Sequence, residues 1–582
     1  MRLFGRIILI CLAVIGALVV LLTSLGVYAA LRERPEPLPK KMVLMLNLNQ
    51  GIVETAPSNP LARLDGHNPL VLKDVVTLLD RAAGDPHVTG VVARIDGVHL
   101  GLAQAQELRD AIAAFRKSGK STAVFSTSLG EFGAATGAYY TASAFQDIWM
   151  QPSGDVGLTG FMAEAPFLRD ALDTLGIKAE FGARYEYKSA IDMFTQRQFT
   201  KENRESTQLL IGSFARQVVD GIAQDRHLTA DEVRGLIDRA PLLGAEAKDA
   251  KLIDHLAYWD EFEKAMTDGG AKLVDLRAYG DRQPSQAKGF PVALIYGVGT
   301  VQQGGKDGPF DDQTVMSSER ITKAFRDAVK DPSVKAILFR IDSPGGSYTA
   351  SDAIWREVSN ARAAGKPVVV SMGNVAASGG YFAAMAADRV IAEPGTITGS
   401  IGVFSGKMVL ADLWKKVGVN WDEVHEGRNA PMWSSNQPFN ADGWARMNAM
   451  LDHVYADFTG KAKAARKLSD EQMDKVARGR VWPGDEALKI GLVDENGGYA
   501  TAFAALRQLT HQPTQMPVDL QVFPKPKAFV EEVMEMANGA AQGGVDSQTR
   551  LRLARLMTVL EPAVSLLDAG NQPLRMPPLD VK

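Results

Sequence analysis

The chain repeats itself at a distance of about 240 residues, and that period limits the available folds more than any single motif does. Residues 85–96 and 331–342 align without a gap, sharing Asp, Pro, Val, Arg, Ile and Asp at matched positions 246 residues apart. Gly119-Lys120 and Gly365-Lys366 keep that spacing. Further on, Tyr140 matches Tyr381 and Asp147 matches Asp388 at 241. Gly157-Leu158-Thr159-Gly160 matches Gly399-Ser400-Ile401-Gly402 at 242, and Leu252-Ile253-Asp254 matches Leu492-Val493-Asp494 at 240. Drift of a few residues is what loop insertions produce. A period this long is not a solenoid repeat of roughly 20–50 residues; it marks two complete domains.

Within each copy, strand-like runs alternate with amphipathic helices. Residues 42–48 are apolar and β-rich; Leu72, Val75, Val76, Leu79 and Ala83 then recur at helical spacing, Gly84-Asp85-Pro86 stops the helix, and residues 88–96 read as a buried strand. The order returns with residues 292–296, a helix through Ile321, Phe325, Ala328 and Val329, a stop at Asp331-Pro332, and residues 334–342. Such alternation predicts an α/β fold with parallel strands and helical crossovers. The expected organisation is an anchor and spacer over 1–40, a first repeat over 41–277, a polar linker over 278–289, a second repeat over 290–508, and an extension over 509–582 with no repeat partner. In that extension residues 538–547 read as a Gly-rich link and 551–567 as an amphipathic helix.

Residues 7–31 carry no charge, and at about 1.5 Å per residue they are long enough to cross a bilayer core of roughly 30 Å. Tyr28-Ala29-Ala30 fits a cleavage site poorly, so a retained single-pass anchor is expected. The one cysteine, Cys11, lies inside that run and excludes an intrachain disulfide. Net charge is −4 and no basic run is interleaved with aromatics, which argues against a nucleic-acid partner. Nothing in the sequence calls for a cofactor or metal.

The chemistry lies where the copies differ. Ser378 sits between a run of small residues and Gly379-Gly380, before an Ala-rich helical stretch; mapped back by 241 it falls on Gly137. Lys188, in Tyr187-Lys188-Ser189-Ala190, maps forward by 242 onto Ala430. Each copy thus keeps what the other lacks. A serine hydroxyl is a poor nucleophile until a base takes its proton, and the nearest histidine downstream of Ser378 is His425. A lysine can serve if burial keeps it neutral, provided Glu186 and Asp192 point elsewhere. Asp342-Ser343-Pro344-Gly345-Gly346 follows the second buried strand, and its glycines, with the N–H of Gly379, could hold an oxyanion. Taken singly, Ser378 also reads as an ordinary helix cap, Lys188 as a surface lysine and the glycine run as a turn.

Arg340 to Ser347, Ala377-Ser378-Gly379-Gly380-Tyr381, residues 398–403 and Tyr187-Lys188-Ser189-Ala190 together resemble the long, duplicated form of the signal peptide peptidase A (protease IV) family, over about residues 42–506. The resemblance implies tandem Clp protease/crotonase-like domains behind a transmembrane helix. It implies Ser378 as nucleophile, Lys188 as general base and Ser400 as the hydroxyl that orients the amine. Gly345, Gly346 and Gly379 become candidates for the oxyanion hole. It also implies a homotetramer on the periplasmic side of the inner membrane that degrades cleaved signal peptides and other hydrophobic peptides. Two rival readings are a crotonase-like acyl-CoA enzyme, which needs no nucleophilic serine, and a catalytically inactive membrane scaffold.

Overall fold

The computed structural model describes residues 37–56, 69–96, 100–282, 289–304 and 315–525, with two short strands, Leu574–Arg575 and Asp580–Val581. Among these, the first repeat forms a six-stranded sheet in the order His255–Leu256, Asp147–Met150, Ser121–Ser126, Val88–Arg94, Met42–Asn47, Lys272–Asp275. Every neighbouring pair is parallel. Parallel neighbours need crossovers, and the helices Leu72–Gly84 and Leu102–Arg116 supply two of them.

The second repeat lays down the same six strands in the same order: Glu495–Asn496, Arg389–Ala392, Val368–Ala377, Ala336–Ser343, Phe290–Val298, Val518–Phe523. Ile397–Gly399 and the antiparallel Val481–Pro483 are added beside the long strand Val368–Ala377. Two boundaries differ from expectation. Val518–Phe523 pairs in parallel with Phe290–Val298 and stands where Lys272–Asp275 stands in the first sheet, so the second sheet runs past residue 508. Short edge strands share too few residue types for the match to show in sequence. The stretch read as a polar linker begins as the helix Leu276–Arg282, whose Tyr279 is fully buried and donates to Asp85 Oδ2 at 3.1 Å.

One apolar core runs through both repeats, joining Val75, Leu79, Leu108 and Ile112 to Val292, Leu338, Val369 and Leu506. A buried ionic cluster crosses the same junction. Arg340, fully buried, donates to both Glu54 oxygens at 2.9 and 3.1 Å and to Glu107 Oε2 at 2.7 Å. A buried guanidinium is tolerable only with such partners, so these three residues add an ionic tie to the apolar contact between the repeats. Among the described residues no helix is long and apolar enough to cross a membrane. The expected anchor at 7–31, the Gly-rich link and the helix at 551–567 lie outside the described residues.

Candidate active site

Ser378 ends the strand Val368–Ala377 and precedes the short helix Gly379–Ala384. It is fully buried, with φ 52° and ψ −114°, and its N–H donates to Gly399 O at 2.8 Å. A non-glycine residue at positive φ persists only where its surroundings hold it. The two glycines after it are required by contact. A Cβ on Gly379 would lie 2.6 Å from Ser351 Oγ and one on Gly380 2.7 Å from Ser343 O, so the helix start presses directly on the loop that follows Ala336–Ser343.

The first repeat reaches this point through the strand Lys178–Arg184, which pairs antiparallel with Val403–Val409 of the second repeat. The loop after it delivers Lys188, 1% exposed, with Nζ 2.8 Å from Ser378 Oγ, 3.0 Å from Ser400 O and 3.0 Å from Ser400 Oγ. Burial alone pushes the Lys188 amine well below the usual lysine range. Both neighbouring carboxylates face away. Glu186 is held bidentately by Arg478 at 2.8 and 2.9 Å, and Asp192 accepts from Asn203 Nδ2 at 3.0 Å while burial pushes its carboxyl up to about 6. A carbonyl can only accept, so Nζ donates to Ser400 O. A neutral amine then has its lone pair to offer to the Ser378 hydroxyl.

Ser400 also has positive φ, 53°, and its N–H donates to Arg480 O at 2.7 Å. The glycine loop lies opposite. Gly345 and Gly346 have φ 99° and 154°, and the Gly345 N–H donates to Ser343 Oγ at 3.2 Å. The Gly346 nitrogen faces the helix start, 3.1 Å from where a Gly379 Cβ would be. Gly345 Cα lies at nearly the same distance, 3.2 Å, but the Gly345 N–H is spent inside its own loop. The backbone of Leu574–Arg575 pairs antiparallel with Gly345–Gly346, and that of Asp580–Val581 with Ala163–Glu164.

The register between the copies shifts by one residue here. Tyr381 Oη donates to Leu492 O at 2.9 Å and Tyr139 Oη donates to Leu252 O at 2.8 Å. The Asp388 carboxylate accepts the Val368 N–H, and Gln146 Oε1 accepts the Thr122 N–H. The offset is thus 242: Tyr381 matches Tyr139 rather than Tyr140, Asp388 matches Gln146 rather than Asp147, and Ser378 matches Thr136 rather than Gly137. Adjacent tyrosines and adjacent polar residues hid the shift. The first copy does keep a hydroxyl, but Thr136 Oγ1 donates to Gly160 O at 2.9 Å and accepts Gly160 N–H at 3.0 Å.

Sequence reasoning passed over the segment Arg478-Gly479-Arg480, which touches both Lys188 and Ser400. Its signal was a glycine between two arginines where the first copy has Asp238-Arg239-Ala240. The same reasoning named Asp342 in the motif without a role; Asp342 Oδ1 accepts the Val375 N–H at 2.9 Å, tying the strand that leads to Ser378 to the start of the glycine loop.

Comparison with known proteins gives the family. The profile of peptidase family S49 matches residues 115–273 and 360–512, one segment in each repeat. The chain is 32% identical to Protease 4 of Salmonella typhi over 457 residues, covering 75% of this chain and 72% of that one. It is 30% identical to the chloroplastic serine protease SPPA of Arabidopsis thaliana over 523 residues, 86% of this chain and 75% of that one. It is 29% identical to Protease 4 of Haemophilus influenzae over 518 residues, 85% and 83%.

Proposed function

Since this chain belongs to peptidase family S49 and is a serine peptidase of that family, we propose that Ser378 is its nucleophile and Lys188 its general base, each supplied by a different repeat. The observation that carries this is the set of three short contacts from the buried Lys188 Nζ to Ser378 Oγ and to both oxygens of Ser400. Neutral Lys188 takes the proton from Ser378 Oγ as that oxygen attacks the peptide carbonyl. The N–H groups of Gly346 and Gly379 hold the oxyanion that forms, a type of contribution worth about 10²–10³-fold per donor. The lysine then gives its proton to the departing amine. In the second half-reaction it takes a proton from the water that releases the acyl group, and Ser378 is restored. Ser400 holds the amine in line through both its oxygens.

The substrate class we propose is extended hydrophobic peptide, cleaved signal peptides in particular, with small or apolar side chains before the cut. The duplicated domains have the Clp protease/crotonase type of fold and assemble as a homotetramer. Residues 7–31 tether the body to the periplasmic side of the inner membrane. These features rest on the motif resemblance and on the uncharged run near the start of the chain.

A fluorophosphonate should form one adduct, on Ser378, and mass spectrometry of the labelled peptide locates it. An adduct on Ser343 or Ser400 refutes the assignment. Protease added to intact spheroplasts should digest the body; complete protection until lysis refutes the topology.

A further inference from the structure

A base and a nucleophile 190 residues apart, on different repeats, meet at 2.8 Å. A site is only as good as the shell that fixes its side chains, since displacement of about 1 Å costs on the order of 100-fold in rate. Lys188 sits on a loop rather than on a strand or helix, so something must hold that loop. The segment 478–480 touches both the loop and Ser400 through its backbone.

Its main chain grips on two sides. The Arg478 carbonyl accepts the N–H of Tyr185 at 3.3 Å and that of Tyr187 at 3.2 Å, bracketing the turn that precedes Lys188. On the other side, Gly479 N–H donates to Ile401 O at 2.8 Å and Arg480 O accepts Ser400 N–H at 2.7 Å. The side chains repeat the pattern. Arg478 holds Glu186 bidentately, reaches Asp474 at 2.9 Å and lies 4.7 Å over the Tyr185 ring. Arg480 lies 4.9 Å over Tyr187 and pairs with Glu205 at 3.0 Å. Between them Gly479 has φ 88°, and a Cβ there would lie 2.5 Å from Lys188 N and 2.6 Å from Lys188 Cα and Cβ. Nothing larger than glycine fits without moving the lysine backbone.

The first copy shows that this is an addition. Both helices before the segment open on the same capping box, at Thr229 and Ser469, 240 residues apart. The first runs ten residues, Ala230–Arg239; the second stops after seven, at Val476. The turn given up by the second helix becomes Ala477 to Arg480.

We infer that Arg478, Gly479 and Arg480 are positioning residues, a clamp that seats the first repeat's lysine loop on the second repeat's Ser400 and so sets the Lys188 to Ser378 distance. The inference rests on the dyad reading above. Charged and titratable groups around the loop are Arg184 before it, Tyr185, Glu186 and Tyr187 on it, Asp192 after it, Glu205 from Lys201–Arg226, Asp452 and Tyr455 from Ala441–Arg466, Asp474 from Asp470–Val476, and the two arginines. Since burial alone depresses the Lys188 amine, loosening the clamp lets water in and moves that amine back toward the ordinary range.

Fluorophosphonate labelling of Ser378 against pH tests this in the full chain with Gly479→Ala, Glu186→Ala and Glu186→Gln. Near neutral pH, Gly479→Ala should label about 100-fold more slowly and Glu186→Ala about tenfold more slowly. Glu186→Gln, which can keep one hydrogen bond to the guanidinium, should fall between Glu186→Ala and the parent. In each slowed variant the rate should recover at higher pH, a shift that loss of fold alone does not give. If Gly479→Ala does not fold, the Glu186 pair decides. Folded variants with the parent rate and pH profile overturn the clamp. Parent-like labelling of Lys188→Met overturns the dyad instead.

Discussion

Arg94 with Asp96 in the first repeat and Arg340 with Asp342 in the second stand at matched strand ends, yet their surroundings push the two carboxyls in opposite directions. Arg94 pairs with its own Asp96 at 3.0 Å and lies 5.6 Å over Trp259, with both side chains partly open to solvent. Arg340 lies 4.5 Å over Tyr499, 240 residues beyond Trp259, but sends its guanidinium across the junction to Glu54 and Glu107. At Asp96 burial pushes the carboxyl up, but hydrogen bonds from Thr127, Arg94 and Asn49 outweigh it and hold it below the ordinary carboxylate range. At Asp342 burial, and then the charge of Glu54, push the carboxyl up to about 7. The same residues were written twice, and their environment rather than their identity sets their ionisation. The copy whose strand end is sealed in the junction is the copy that carries the nucleophile, the glycine loop and Ser400.

The largest test of that asymmetry removes the groups that only one copy has. Ser378→Ala and Lys188→Met should each lower peptide turnover by about 10⁴-fold or more. Lys188→Arg should be as inactive, because a guanidinium does not surrender its proton. Activity of the parent should climb with pH through the depressed Lys188 value. The stability linkage has the same sign: between the folded and unfolded values the unfolded chain binds the extra proton, so this residue's contribution rises with pH across that window. Lys188→Met should remove that slope, which denaturation midpoints against pH will show. An active Arg variant would remove lysine as the base.

The second test is thermodynamic. Arg340→Leu leaves Glu54 and Glu107 buried without a counter-charge, a loss expected to cost about 3–5 kcal/mol. Arg94→Leu, at the matched but partly solvated position, should cost about 1 kcal/mol or less. Equal losses in urea denaturation would mean that the junction is not where the second copy's stability is concentrated.

Much of this was legible in the sequence because the repeat supplied its own control. Parallel pairing with helical crossovers is read from the alternation kept in both copies, and Ser378 and Lys188 from the places where the copies differ, whereas Ser400 enters through the family resemblance and the strand order comes with the structure. What escaped notice was carried by backbone. Gly479 matters through the Cβ it lacks, Arg478 through a carbonyl, and Val518–Phe523 through pairing that any apolar strand could make. The one-residue register error at Ser378 arose because Tyr139-Tyr140 offers two matches for Tyr381; the hydroxyl bonds to Leu252 and Leu492 and the matched bonds of Gln146 and Asp388 choose between them, in agreement with Ala134-Ala135-Thr136-Gly137 against Ala376-Ala377-Ser378-Gly379.

A smaller effect should come from the end of the chain. Leu574–Arg575 adds a strand to the Gly345–Gly346 edge of the second repeat, and Asp580–Val581 adds one to Ala163–Glu164 of the first. An extended peptide gains affinity by the same backbone pairing. Deleting residues 574–582 should therefore lower KM for a peptide substrate severalfold while leaving kcat nearly unchanged. An unchanged KM would show that the tail and the substrate do not compete for that edge.

The smallest effect belongs to Thr136, and it bears most directly on whether the first copy is chemically silent. In the register fixed by the tyrosine hydroxyls, Thr136 occupies the place of Ser378 and is nearly as buried, 4% against 0%. A hydroxyl at the matched position is not enough for chemistry. Ser378 Oγ faces an amine, whereas Thr136 Oγ1 both donates to and accepts from Gly160, in the segment after Asp155–Val156 of its own repeat. Thr136→Ala should then leave kcat/KM and fluorophosphonate labelling at parent values. It should lower stability by about 1–3 kcal/mol, because the Gly160 N–H loses its acceptor in a part-buried site. Thr136→Ser, which keeps the hydroxyl, should recover most of that loss. A fall in turnover with stability intact would mean that the first copy takes part in the reaction through more than Lys188, and the division of labour between the copies would have to be redrawn.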